Sequence, residues 1–228
     1  MGFCILFPDS RFDVLDLERE VVGPEVELVN PRRLRFEQID PGTWARADAV
    51  VLRALQLDAR AIPYLERARV IVRNGVGFDA VDIEAAGAAG IVVSNVPDYG
   101  TTEVADSALA TMLAFARGTA SLDAGLRAGI EGGWTHLHNV TGRRLRGAWF
   151  GVIGLGRIGT ASALRARAFG MNVAFYDPWL PAGAELSFGF KRAGTRDELL
   201  GLSDVVTIHA PLTEQTRAMI DRDRKSVV

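Results

Sequence analysis

Cysteine is nearly absent from this sequence. Cys4 is the single one in 228 residues, which excludes an internal disulfide framework and fits a reducing compartment. It sits in the apolar run 3–7, where a small buried residue is the expected role. An excess of one charge is absent too. Lys and Arg total 26 against 28 Asp and Glu, for a net charge of -2, so there is no footprint for nucleic acid or an anionic membrane surface. No apolar run approaches the ~20 residues that span a bilayer. The start carries no basic segment ahead of an apolar one, so no secretory leader is expected. Met1-Gly2 opens like a myristoylation signal, but that signal wants Ser or Thr at the sixth position, where Leu6 stands. A cytoplasmic protein is expected. Histidine is scarce as well. Two of the three form His136-Leu137-His138 with no third ligand near them in sequence, so no metal is expected.

What is present is an ordinary globular composition, 48% hydrophobic and 24% charged, in a length that suits one large domain or two smaller ones. The N-terminal part alternates short β-branched runs, at 3–7, 26–29, 49–52, 69–72 and 91–93, with helical patterns at 12–22, 58–67 and 79–89. Such alternation predicts a parallel sheet covered by helices. Pro41-Gly42 reads as a turn. The breaker cluster Asn95-Val96-Pro97-Asp98-Tyr99-Gly100 places a boundary, with one domain over 1–100 and another over 101–222. Thr101 and Thr102 can cap the next helix, with Glu103 near its positive end. Apolar residues then recur at helical spacing to about 117. Residues 129–147 have no clean period and read as a surface connection, with Arg143-Arg144-Leu145-Arg146 as a solvated face. A second series follows, with strands at 149–153, 173–176 and 205–209 and helices at 158–169 and 197–202. No repeat of fixed period runs through the chain.

The strongest signal is Gly154-Leu155-Gly156-Arg157-Ile158-Gly159, between an apolar strand and a helical pattern. Gly154 allows a tight turn out of the strand. Gly156 leaves room for backbone to approach a pyrophosphate, and Gly159 lets helix and strand close up. The helix that starts there points free N–H groups and its positive dipole end at phosphate. Asp177 ends the next strand eighteen residues after Gly159. Its carboxylate can accept the ribose hydroxyls and repel a 2′-phosphate, which predicts NAD rather than NADP. Arg157 within the loop is a cation that could also face phosphate.

Further motifs accompany the loop. Arg73-Asn74-Gly75-Val76-Gly77-Phe78-Asp79, Asn95-Val96-Pro97, Glu103-Val104-Ala105-Asp106, Tyr176-Asp177-Pro178 and His209-Ala210-Pro211-Leu212-Thr213 follow one another along the chain. In combination they resemble the D-isomer-specific 2-hydroxyacid dehydrogenases, over residues 3–220. The similarity is greatest to the C-terminal-binding-protein branch, with D-3-phosphoglycerate dehydrogenase as a near relative. The resemblance implies an α/β fold of two Rossmann-like parallel-sheet domains, a flavodoxin-like substrate domain and an NAD-binding domain, the second incomplete here. It implies that Gly75, Val76 and Gly77 offer backbone N–H groups to a substrate carboxylate, with Val76 also near the nicotinamide and Arg73 adding charge. Ala210, Pro211, Leu212, Thr213 and Thr216 would line the nicotinamide-ribose side of the cofactor.

The same resemblance implies a catalytic arginine, a glutamate and a histidine beyond Ile220, so this chain would lack all three. Residues 223–228 fit neither the family nor a strand. They back-translate to GATCGGAAGAGCGTCGTG, a common sequencing-adapter sequence, and are expected to be a non-native tail on a longer protein. Two functions compete. One is an NAD-dependent oxidoreductase acting on the CH–OH of a D-2-hydroxy acid, or reducing the 2-keto acid. The other is an NAD-sensing, corepressor-like binding protein without physiological turnover. A homodimer is expected for the full-length protein, through the helix after Thr101 and the Trp134 region.

Overall fold

The structure, a computed structural model, describes residues 2–127 and 142–221; His136, His138, the Trp134 region and the tail 223–228 lie outside these residues. The chain divides into two compact units, Met1–Tyr99 and Gly100–Val228. Each is built on its own parallel sheet.

In the first unit the chain runs β1 (Cys4–Leu6), α1 (Asp16–Val22), β2 (Glu27–Val29), α2 (Pro41–Ala45), β3 (Ala49–Leu52), β4 (Val70–Arg73), α3 (Ile83–Ala88) and β5 (Val92–Asn95). The strands lie in the order β2-β1-β3-β4-β5, all parallel. This is the flavodoxin-like order, which reverses between the first and third strands. Leu6, Val50, Leu52 and Ile71 are fully buried on Trp44, Leu55 and Leu57. Burying such side chains contributes about 2 kcal/mol each.

Three expectations for this unit are corrected. The pattern at 12–22 becomes helical only at Asp16. Ser10 Oγ accepts the Phe12 N–H at 3.1 Å and Asn30 Nδ2 donates to the Phe12 carbonyl at 3.0 Å, which holds the earlier residues in a loop. The helix at 58–67 is a single 3₁₀ turn, Ile62–Tyr64. Pro63 supplies no N–H, and its ring blocks a full α-turn. Pro41-Gly42 is no mere turn. It opens α2, capped by Asp40, whose Oδ1 accepts the Thr43 N–H at 3.0 Å.

In the second unit the order is α4 (Thr101–Arg117), α5 (Thr119–Arg127), β6 (Trp149–Ile153), α6 (Arg157–Ala168), β7 (Asn172–Tyr176), α7 (Ala184–Phe188), β8 (Lys191–Arg192), α8 (Arg196–Leu202) and β9 (Val205–Ile208). The strands pair in parallel as β8-β7-β6-β9, which fills places 3-2-1-4 of the doubly wound nucleotide-binding order. Ala105, Leu109, Met112 and Ala116 form the buried stripe of α4. Arg165 of α6 donates to Asp106 of α4 at 2.6 Å. The expected caps Thr101 and Thr102 do not cap: Gly100 is the N-cap and no side chain bonds there. The helix starts at Thr101 itself, inside which a hydroxyl cannot reach the first free N–H groups. α5, α7 and β8 had no sequence expectation.

Both units use the same brace. Asp48, just before β3, donates its N–H to the Cys4 carbonyl at 2.9 Å and accepts the Cys4 N–H on Oδ2 at 2.9 Å. Asp204, just before β9, does the same to Trp149, at 2.9 and 2.8 Å. The bond from the Cys4 N–H, and then Arg67, holds the Asp48 carboxyl below its ordinary value.

Candidate functional site

In the second unit the site begins where β6 ends. Phe150, Val152 and Ile153 are buried, so the strand is fixed up to the turn. Gly154 has φ +85°, a conformation that disfavours any side chain, and an added Cβ would lie 2.8 Å from the Ala210 nitrogen. Its N–H donates to the Tyr176 carbonyl at 3.0 Å. Leu155 is buried in the core. Gly159 is packed against the turn so tightly that a Cβ would sit 2.1 Å from the Gly154 carbonyl oxygen. Gly156 is the opposite case: nothing lies within 4 Å of where its Cβ would be. It is the N-cap of α6 without a side-chain cap. The N–H groups of Gly156, Arg157 and Ile158 have no acceptor among the described residues. Open space, free donors and a helix N-terminus coincide, which fits a pyrophosphate.

Asp177 leaves the end of β7 beside this turn. Its Oδ2 accepts the Leu155 N–H and its Oδ1 the Trp179 N–H, both at 2.9 Å. A carboxylate has about four acceptor positions, so both oxygens keep a lone pair for ribose hydroxyls. A cleft of about 660 Å³ opens here, lined by Gly154, Asp177, Trp179, Arg196, Pro211 and Thr216 among others. Ala210 and Thr213 also line it, whereas Leu212 does not and is 56% exposed. Thr216 is already spent: its Oγ1 donates to the Pro211 carbonyl at 2.6 Å and accepts the Thr213 N–H at 2.7 Å. Its role in this arrangement is to shape the loop.

His209 follows β9. Ser162 Oγ and Thr207 Oγ1 lie 3.1 and 3.0 Å from its Nε2, and its N–H donates to the Ile153 carbonyl at 2.8 Å. Burial pushes its pKa below the ordinary histidine value, so the ring is neutral at pH 7 and ties β9 to α6. Sequence reasoning missed Trp179 and Arg196. Trp179 carried a signal, an exposed tryptophan two places after the key acid. Arg196 carried none, because α8 brings it in from a distant segment.

In the first unit the other predicted residues gather at the end of β4. The Arg73 guanidinium folds over Gly75, where a Cβ would lie 1.3 Å from Nη1. Arg73 Nε is buried without a partner. Asn95 Nδ2 donates to the Val76 carbonyl at 2.7 Å and the Val96 N–H to the Gly75 carbonyl at 3.1 Å, clamping the turn. One expectation changes. The Gly75 N–H is turned onto the Arg73 carbonyl at 2.8 Å, so the free donors are those of Val76 and Gly77, which have no acceptor among the described residues. Two such N–H groups under a guanidinium suit a carboxylate. No group of three or more His, Cys, Asp or Glu among the described residues could hold a metal ion.

Comparison with known proteins matches residues 109–226 to the family model of the D-isomer specific 2-hydroxyacid dehydrogenase NAD binding domain. D-3-phosphoglycerate dehydrogenase of Methanocaldococcus jannaschii is 40% identical over 179 residues, 78% of this chain and 33% of that protein. C-terminal-binding protein 1 of Caenorhabditis elegans is 34% identical over 178 residues, 77% of this chain and 24% of that protein. A glyoxylate reductase structure from Paecilomyes thermophila superposes with a TM-score of 0.83 at 28% identity, covering 99% of this chain and 70% of that one. The chain thus spans about a third and a quarter of the length of the two relatives.

Proposed function

The chain belongs to the D-isomer specific 2-hydroxyacid dehydrogenase family, and from that premise we propose that it is the cofactor-holding and substrate-anchoring part of an NAD-dependent oxidoreductase. The substrate class is a small D-2-hydroxy acid or the matching 2-keto acid. The observation that carries the reading is the glycine turn, with its unpartnered N–H groups at Gly156, Arg157 and Ile158 beside Asp177.

When bound, NAD would supply hydride transfer to or from C2 of the substrate. The residues of this chain hold and orient. Gly156, Arg157 and Ile158 donate backbone N–H groups to the pyrophosphate. Asp177 accepts the adenosine ribose hydroxyls and disfavours a 2′-phosphate by charge. Ala210, Pro211, Leu212 and Thr213 flank the nicotinamide ribose, and Thr216 shapes their loop. Val76 and Gly77 donate to the substrate carboxylate with Arg73 above them. Gly154, Leu155, Ile158, Gly159 and Gly75 fix the two turns. The hydroxyl proton needs a base, and His209 does not serve: its Nε2 is engaged by Ser162 and Thr207. We therefore propose binding without turnover for residues 1–228. The assembly proposed for the longer protein is a homodimer in the cytoplasm. Among the described residues no helix is long and apolar enough to cross a membrane.

Calorimetric titration with NAD and NADP tests the cofactor reading. Saturable NAD binding, tighter than NADP, is expected. Absence of NAD binding by a folded chain overturns the cofactor assignment, and steady oxidation of NADH with any 2-keto acid overturns the claim of no turnover.

A further inference from the structure

Asp177 stands at the head of a loop that belongs to no helix or strand. Residues 177–183 lead from the end of β7 to α7, with Pro178 and Pro181 among them and Gly183 at φ 93°. Proline gives no N–H, so the loop has few donors for its own carbonyls. Those of Asp177 and Leu180 meet no backbone N–H among the described residues.

One side chain collects them. Arg192 Nη1 donates to the Asp177 carbonyl at 3.4 Å and to the Leu180 carbonyl at 3.3 Å. Its Nη2 donates to the carbonyls of Leu180 and Pro181 at 3.3 and 2.7 Å. Its Nε donates to Glu185 Oε2 at 2.9 Å, while Glu185 Oε1 accepts the Gly183 N–H at 3.2 Å. The clamp has a fixed base. Arg192 on β8 lies in register with Phe175 of β7. Its guanidinium rests over the Phe175 ring, 5.2 Å from the centroid, and Phe175 is fully buried. A guanidinium fans its donors in one plane, so a single group can serve all these acceptors at once. Neither Arg192 nor Glu185 lines the cleft.

We infer that Arg192 is a positioning residue for the cofactor cleft: by holding the Asp177–Pro181 backbone it keeps the Asp177 carboxylate aimed at the ribose. With its carbonyl clamped, Asp177 keeps its two oxygens on the Leu155 and Trp179 N–H groups. Glu185 orients the guanidinium in turn. The pair acts on the cofactor through the loop alone. The ribose part of this inference rests on the cofactor reading above, whereas the aim of the carboxylate does not.

Two measurements on the chain test it. The first uses no cofactor: backbone hydrogen exchange, followed by NMR, in the parent and in Arg192→Leu. The Leu155 amide, which is bonded to Asp177, should exchange about tenfold faster in the variant, as a local opening. The Gly154 amide, which is bonded to the Tyr176 carbonyl, should keep its rate. An unchanged rate at Leu155 overturns the inference. So does an equal acceleration at Gly154, because Arg192 would then be a general prop of the unit. The second measurement compares calorimetric titration with NAD and with its analogue lacking the adenosine 2′-hydroxyl. That loss should weaken binding to the parent about tenfold, as one hydrogen bond to a charged acceptor. In Arg192→Leu the ratio should fall below about threefold. Arg167→Gln removes a guanidinium that donates to the Phe188 carbonyl, and it should leave the ratio unaltered. A ratio that Arg192→Leu does not change overturns the inference. If the parent binds neither compound, or both alike, the ribose assignment fails and the exchange rates alone decide. Should Arg192→Leu fail to fold, Arg192→Lys takes its place. It keeps the charge over Phe175 without the planar fan of donors, so both readouts should move the same way, and parental values in both overturn the inference.

Discussion

The two glycine turns of this molecule hold their shape in different ways. At Gly154 and Gly159 an added Cβ would meet backbone, the Ala210 nitrogen at 2.8 Å and the Gly154 carbonyl oxygen at 2.1 Å. At Gly75 and Gly77 it would meet side-chain atoms, Arg73 Nη1 at 1.3 Å and Asp79 Oδ1 at 3.0 Å. Backbone inside a packed sheet cannot retreat, whereas a guanidinium at the end of a flexible stem can swing away. The turn beside the proposed cofactor cleft is thus rigid by construction. In the first unit the space beside Gly75 is filled only by an arginine side chain that can move.

Gly159→Ala presses hardest on this contrast. It should destabilise the second unit by about 3 kcal/mol, read as a shifted urea midpoint. An unchanged midpoint would mean that α6 can slide from β6. Gly154→Ala should cost about 2 kcal/mol from its positive φ and its contact, with NAD binding lost in the same titration. If NAD still binds at the original affinity, the turn is not the cofactor cradle. Asp177→Ala should lower NAD affinity by about 1.5 kcal/mol and narrow the preference over NADP. A preference that stays the same sinks the role given to the carboxylate. Gly75→Ala should change stability by less than about 1 kcal/mol, because Arg73 moves aside. A loss equal to that of Gly154→Ala would erase the distinction between the turns.

The smallest effect concerns pH. Burial lowers the pKa of His209, so the unfolded chain takes up a proton near about 6.5 while the folded chain waits for a lower pH. Between those points the unfolded state binds more protons. The contribution is therefore whole above about 6.5 and is lost as pH falls below it. Urea unfolding over a pH series should show this slope for the parent and a flatter one for His209→Asn. Parallel curves would remove His209 from the account.

Local chemistry decided what could be read from the chain alone. The glycine turn and Asp177 were legible because strand, turn, helix and acid follow each other within a few dozen residues, each with its own requirement. The first unit was less so. The helical period at 58–67 hid Pro63, which allows only the turn Ile62–Tyr64. Pro41-Gly42 looked like a turn and opens a helix capped by Asp40. Arg196 reached the cleft through α8 with no sequence signal at all.

The paired aspartate braces bear on the rate at which the sheets come apart. Asp48 meets its partner across 44 residues and Asp204 across 55, so each bond must wait for a long loop to close. Contacts made that late weigh mainly on the unfolding rate. Each brace also opposes a slip of the parallel register, which would turn buried side chains outward. Removing either carboxylate should leave the folding limb of the chevron nearly unmoved and steepen escape from the native state. The two aspartates would then act as latches on lifetime more than as contributors to assembly.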